Sequence, residues 1–304
     1  MSSFTDTLER FAPHLFLFPA LLLIALFILI PLVWNLYLSM TNFKLIGPTA
    51  REYDIIWLDN YLELVSDETF LRALWNSFLF TIFSAIIGQV VLGLLLALAA
   101  RASLPDTPIG KAVSVLRTLT LVLVFVSWVI PEVVAGYAWA ALTEKGGLAS
   151  LLLGADYRIY AQHPLGTIIV ANIWRGTAFS MILFIAAMEA IPRYIYEAAE
   201  IDGATPFQRF RHVILPLLAP AILVDFILIT IWTFNVFTQP FIMLREALGK
   251  EVLWTIFVYN EAVKLQNPSL AAAAANVMFA VVMAMILAYL AFMRRLERWY
   301  YAGR

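Results

Sequence analysis

Long apolar runs separated by short polar stretches dominate this chain, and the length of the runs predicts its elements. Six of them, near residues 12–39, 77–100, 115–141, 165–190, 217–240 and 270–293, are each long enough as helix to cross a bilayer. The requirement is about 30 Å of hydrocarbon at roughly 1.5 Å per residue. The pattern therefore predicts an all-α polytopic membrane protein with six transmembrane helices, a single domain over residues 1–304. The first run is read as a retained span: it is too long for the apolar core of a signal peptide, Asp6 and Glu9 precede it, and no small-x-small cleavage site follows. One polar stretch, residues 197–216, has helical features of its own. Glu197, Ala198, Ala199 and Glu200 favour a helix, Asp202-Gly203 ends it through the left-handed backbone open to glycine, and Pro206 fits the first turn of a second helix. Phe207, Phe210 and Val213 recur there at helical spacing, with Gln208, Arg209, Arg211 and His212 between them, and Pro216 and Pro220 are expected to close the hairpin.

Composition supports the bilayer. With 62% hydrophobic and 13% charged residues and a mean hydropathy of +0.85, the chain has more apolar surface than one soluble core could hide. A net charge of −1 argues against nucleic acid as a partner, and the absence of cysteine excludes disulfides, thiol catalysis and cysteine metal sites. Positive charge sets the expected orientation. Both termini are placed inside, because Arg10, Arg101, Lys111, Arg117, Arg193, Arg209, Arg211, Arg294, Arg295, Arg298 and Arg304 then outnumber the outer Lys44, Arg51, Arg72, Lys145, Arg158, Arg245, Lys250 and Lys264. The hairpin is then cytoplasmic, and the acidic first loop with Glu52, Asp54, Asp59, Glu63, Asp67 and Glu68 is outside.

The segment EAAEIDGATPFQRFRHVILPLLAP, residues 197–220, resembles the EAA loop of ABC-importer permeases, whose form is E-A-A-x-x-D-G-A, five variable residues, then F-x-x-I-x-L-P-x-x-x-P. Every fixed position matches except Val213, which stands for isoleucine. FLFPALLLIALFILIPLVWNLYLSMTNF, LDNYLELVSDETFLRALWNSFLF and ANIWRGTAFSMILFIAAMEAIP are similar to the first span, outer loop and fourth span of carbohydrate permeases of the maltose-transporter type, in its first-permease form. The resemblance implies a type I ABC importer permease fold in the cell membrane that moves a sugar or related polyol inward. It also implies a second related permease, two ATPase subunits that bind the ATP and Mg, no cofactor in this subunit, and an extracytoplasmic solute-binding protein. Glu197, Ala198, Ala199, Asp202, Gly203, Ala204, Phe207 and Phe210 would couple it to the ATPases. One departure is that FTQPFIMLREALGKEVLWTIFVYNEAVKLQNP lacks the family's T-x-G-G-P segment, which bears on the shape of an outer gate.

No motif predicts chemistry in the chain itself. No phosphate loop or G-x-S-x-G elbow occurs, and His14, His163 and His212 are far apart, so an intramembrane enzyme has no constellation to stand on. Gly88 and Gly93 read as places where helices approach. Function inside hydrocarbon should show as polar groups that hydrocarbon does not tolerate. Arg175 and Asp225 fall at similar depth and could pair, as a structural tie or as part of a solute path, and Glu132 behind Pro131 is a further charge. Tyr137, Trp139, Asn172, Trp174, Asn235, Phe237 and Gln239 are candidates for stacking on sugar faces and bonding hydroxyls, although Trp and Tyr also gather at membrane interfaces and amides tie helices together. Trp57 and Tyr61 in the first outer loop are candidates for meeting a binding protein. The competing reading is an ion-gradient carrier that uses Asp225 or Glu132 and needs no docking loop.

Overall fold

The computed structural model describes residues 17–102, 105–244 and 253–302, with side chains described as far as Arg295. Arg10, His14, Arg245, Lys250 and Arg304 lie outside the described residues, as do the first residues of the first span, the 245–252 part of the expected gate segment and the side chain of Arg298. Among the described residues every regular element is helical, apart from one isolated antiparallel bridge between Thr41 and Ile55. Among the described residues, six helices are long and apolar enough to cross a membrane: α1 (Leu17–Leu38), α3 (Glu68–Arg101), α4 (Pro108–Val129), α8 (Pro164–Glu189), α10 (Pro206–Phe234) and α13 (Pro268–Ala302), the last by its Pro268–Arg295 part. Shorter helices fill the connections: α2 (Asp59–Ser66), α5 (Glu132–Leu142), α6 (Leu148–Leu153), α7 (Ile159–Gln162), α9 (Arg193–Ile201), α11 (Thr238–Leu244) and α12 (Trp254–Tyr259).

The chain divides into two compact units, one of residues 1–71 and 257–280 and the other of residues 72–256 and 281–304. In the first, α1 is apolar on all sides and buries none of its window, as expected of a helix that meets lipid. Its end is tied by polar bonds. Asn35 donates to Asn276 at 2.7 Å, Asn276 donates to the Tyr61 hydroxyl at 3.1 Å, and that hydroxyl lies 2.7 Å from Ser39 Oγ. Asn60 donates to the carbonyls of Ser39 and Thr41 at 2.8 Å each. Tyr61, expected to face a binding protein, thus has its hydroxyl inside this network, whereas Trp57 is 69% exposed with a left-handed backbone (φ 55°).

In the second unit α8 packs against α3, α4 and α10. Small residues permit this: a Cβ on Gly93 would meet Ser180 Cβ at 2.5 Å, and one on Gly88 would strike Ile173, so both glycines serve close helix approach, as the sequence indicated. One apolar core, which Ile195 and Tyr196 of α9 join, contains Phe184, Met188, Ile191 and Leu218. Another contains Phe80, Ile168, Val236, Met243 and Leu244.

Two expected spans differ in kind. The run at 115–141 is not one helix: α4 starts earlier, at Pro108 behind a Thr107 N-cap, and stops at Val129. Ile130 is extended (ψ 128°), as a residue before proline tends to be, and α5 starts afresh after Pro131. The run at 217–240 begins instead at Pro206 and ends at Phe234, so Asn235, Phe237 and Gln239 lie beyond the fifth span, in a turn and in α11. Pro216 and Pro220 do not close the hairpin. The helix runs through both, with a π-helical turn at Phe210–Ile214 just ahead of Pro216. A proline gives no N–H and its ring presses on the carbonyl four residues back, which a widened turn relieves. Ala25–Leu29 repeats the arrangement ahead of Pro31.

Candidate functional site

The hairpin is built from local bonds. Gly203 adopts φ 72°, its N–H donates to the Glu200 carbonyl at 3.0 Å, and the Ala204 N–H donates to the Ala199 carbonyl at 3.0 Å. This pair of bonds around a left-handed residue closes α9 and leaves few of its last carbonyls unpaired. Two residues later α10 opens with a capping box: Gln208 N–H donates to Thr205 Oγ1 at 3.3 Å, and Thr205 N–H donates to Gln208 Oε1 at 2.8 Å, with Pro206 in the first turn. An Arg209–Glu200 ion pair crosses the turn. The T-x-x-Q spacing of the box was present in the sequence and was missed there.

These residues sort into two faces. Ala199 is buried, and Ile195 and Tyr196 pack on the core of Phe184, Met188 and Leu218. Ala198, Glu197, Asp202 and Gly203 are exposed, Ala204 and Phe210 are half-buried, and Phe207 is exposed. Adjacent helical positions lie about 100° apart, so the two alanines serve different faces: Ala199 seats the helix and Ala198 faces out. Tyr194, Ile201 and Phe207 are 68%, 87% and 67% exposed, apolar side chains of the two helices left uncovered.

The intramembrane candidates part company. Arg175 pairs with Glu132 across 3.0 Å, not with Asp225. Asp225 is fully buried, accepts a hydrogen bond from Ser180 at 3.0 Å through one oxygen, and has no partner on the other. Depth along a helix was legible but facing direction was not. The break at Pro131 puts Glu132 in the first turn of α5, where a carboxylate suits the helix N-terminus. One helical face of α5 then carries Glu132, Gly136 and Trp139. Trp139 meets Trp174 edge-on with ring centroids 6.0 Å apart, next to Arg175. A Cβ on Gly136 would lie 3.3 Å from the Gln239 carbonyl, so α11 packs closely on this part of α5. Gln239 is 2% exposed, and neither atom of its amide has a hydrogen-bond partner; Arg175 Nε is also buried without one. Glu132, Arg175, Trp139, Trp174 and Gln239 are thus brought to one region.

Other candidates belong elsewhere. Asn172 is a buried tie between helices, donating to Ser84 Oγ at 2.9 Å, with Gln89 donating to its carbonyl at 3.3 Å. Asn235 bonds back to the Ile231 carbonyl at 2.6 Å and ends α10. Tyr137 is half exposed on another side of α5, and Phe237 stacks on Phe241 at 4.8 Å.

The connection between α5 and α8 is centred on Glu144, which accepts from Arg158 Nε at 2.6 Å, the Tyr160 hydroxyl at 3.1 Å and the Lys145 N–H at 3.2 Å. Loss of water around the carboxylate pulls its pKa up, but these three donors outweigh that and hold it below the usual carboxylate value.

Residues 89–300 match the family model described as "Binding-protein-dependent transport system inner membrane component". The chain is 30% identical to the sulfoquinovosyl glycerol transport system permease protein SmoG of Agrobacterium fabrum, over 95% of this chain and 92% of that one. It is 32% identical to the trehalose transport system permease protein SugA of Mycobacterium tuberculosis, over 77% of this chain and 73% of that one. Its fold matches a chain in the crystal structure of a bacterial ABC transporter that imports alginate, with a TM-score of 0.76 at 20% identity, covering 97% of this chain and 99% of that one.

Proposed function

From the premise that this chain belongs to the binding-protein-dependent transport system inner membrane component family, we propose that it carries a sugar or related polyol inward in complex with a second permease, two ATPase subunits and an extracytoplasmic binding protein. The chain is a multi-pass membrane permease subunit of an ABC importer, and that membership sets aside the ion-gradient carrier. ATP and Mg reside in the ATPases, and both termini lie with the hairpin in the cytoplasm. The named substrates of SmoG and SugA support a sugar, and the edge-on Trp139–Trp174 pair beside Arg175 and Glu132 supplies ring faces and polar groups suited to one.

The observation that carries the coupling role is on the hairpin: Tyr194, Ile201 and Phe207 stand exposed on two helices joined by a turn that its own backbone bonds hold. The experiment is co-elution of the solubilised chain with candidate importer ATPases. Wild type should co-elute, and Ile201→Asp and Phe207→Asp should insert but fail to bind. Full binding by both variants would remove the assignment. Orientation is read separately by impermeant thiol labelling of Arg209→Cys and Glu63→Cys in this cysteine-free chain: position 63 should label in intact cells and position 209 should not.

A further inference from the structure

Arg101, the last residue of α3, has a role beyond its contribution to the inner positive charge. An arginine in a last helical turn ordinarily turns back on the unpaired carbonyls of its own helix. Here another side chain fills that place: Arg117, from α4, donates to the carbonyls of Ala102 at 2.8 Å and Ala99 at 3.4 Å. Arg101 is left to reach sideways. Its guanidinium lies 2.7 Å from the carboxylate of Glu189, at the end of α8, and 5.8 Å from the centre of the Tyr196 ring, on α9. The Nη1 that faces Glu189 is buried but makes no aligned hydrogen bond to it, and the Glu189 side chain is 69% exposed, so the ion pair is screened from its carboxylate side and the cation over the ring is the better sheltered contact. Tyr196 is held from beneath, in the core of Phe184, Met188 and Leu218 that also takes Ala97 and Leu98 of α3. Its hydroxyl is buried with no partner, so at this position the ring face, not the hydroxyl, is what is used.

We infer that Arg101 is a positioning residue that fastens the coupling helix α9 to the end of the second span, so that a push received by the hairpin moves α3, α8 and α9 as one body. The inference rests on the coupling role proposed above and names a part of its transmission. Without the fastening, α9 keeps its apolar seat and its outer surface, docks an ATPase, and passes on less of the motion.

The test uses the complete reconstituted importer, with co-elution of the ATPases measured first: if wild type does not retain them, the coupling reading fails by itself. Given retention, Arg101→Ala and Tyr196→Leu should still co-elute, while solute transported per ATP hydrolysed falls roughly tenfold, the scale set by losing a partly desolvated cation–ring contact. Tyr196→Phe should match wild type, and Arg101→Lys should recover part of the loss. A second measurement covers variants that accumulate poorly: in the double variant Arg101→Cys with Tyr196→Cys, a short bis-methanethiosulfonate cross-linker, which joins the two thiols as disulfides with loss of sulfinate, should restore transport per ATP, and cleavage by a thiol reductant should remove it again. Wild-type coupling in both Arg101→Ala and Tyr196→Leu would overturn the inference. So would a loss in Tyr196→Phe equal to that in Tyr196→Leu, or a cross-link that abolishes the remaining transport, since each would show that the contact is dispensable, acts through the hydroxyl, or must open.

Discussion

The hairpin and the region around Glu132 and Arg175 treat their polar groups in opposite ways. In the hairpin the bonds are local: Gly203 to Glu200, Ala204 to Ala199, Thr205 to Gln208 and back. Around Glu132 they are distant in sequence or missing: Arg175 finds Glu132 on another helix, while the Gln239 amide and Arg175 Nε find nothing. A fully bonded turn is rigid and suits transmission of force. A buried amide without partners costs roughly 1–3 kcal/mol and is retained where another state or a ligand satisfies it. On the function proposed above, this difference would separate an element that moves whole from one that changes its contacts.

The hardest blow to the rigid side of this comparison is Gly203→Pro. Proline holds φ near −65°, opposite to the observed 72°, and removes the N–H that closes α9. Uptake should fall to background while membrane accumulation stays near wild type. Gly203→Asn, which tolerates the left-handed region, should keep most uptake, and Gly203→Ala should fall between, at a cost of about 1–2 kcal/mol to the turn. Normal uptake in Gly203→Pro would mean that the turn does not transmit force.

A double-mutant cycle on Glu132→Leu and Arg175→Leu probes the other side. Each single change strands a charge beside hydrocarbon. Because both side chains keep some exposure, 36% and 21%, the expected coupling is about 1–3 kcal/mol, less than for a fully buried pair. Thermal stability in detergent should therefore be worse in either single variant than in the double one, while uptake stays low in all three. The same cycle on Arg175 and Asp225 should be additive, since those residues do not bond.

Gln239→Leu has a smaller and two-signed effect. Replacing an unpartnered buried amide by an apolar side chain of similar size should leave stability unchanged or raise it by about 1 kcal/mol. Uptake should nevertheless drop, mainly as a raised KM for solute. Unchanged uptake with raised stability would mark Gln239 as packing, and the region would lose its claim to adaptability.

How far each region was legible follows from the same contrast. The hairpin's turn was readable because glycine at a left-handed position and proline at a first turn act over a few residues. The six apolar runs were readable because hydrocarbon thickness sets a length. What was not legible was facing direction: that Arg175 turns to Glu132 rather than Asp225, and that the Tyr61 hydroxyl is engaged in a network. Proline was the ambiguous signal. At Pro131 it broke a span, but at Pro216 a π-helical turn absorbed it, and the sequence does not say which, because the outcome rests on whether neighbouring packing tolerates a widened turn.

The outer connection at Glu144 is a third case, local like the hairpin but held by charge rather than backbone geometry. Its carboxylate is held below its ordinary value mainly by the Lys145 N–H, Tyr160 and Arg158 against the pull of lost hydration. A group whose folded pKa lies below its unfolded one stabilises the fold fully above the unfolded value, near about 4.3 for glutamate, and loses that contribution as pH falls through the folded value. Hydrogen exchange at the Ile159 amide, which donates to the Thr143 carbonyl at 2.9 Å, reports on this connection. Relative to Glu144→Gln at the same pH, wild type should be better protected by a constant factor from pH 8 down to about 5, and that advantage should shrink as pH falls past the unfolded value and through the lower folded one. The effect should be the smallest of the four, since the groups are open to water and salt screens them. A constant ratio through the acid range would show that the connection is held by its backbone bonds alone, which would make it a second hairpin-like element rather than an electrostatic one.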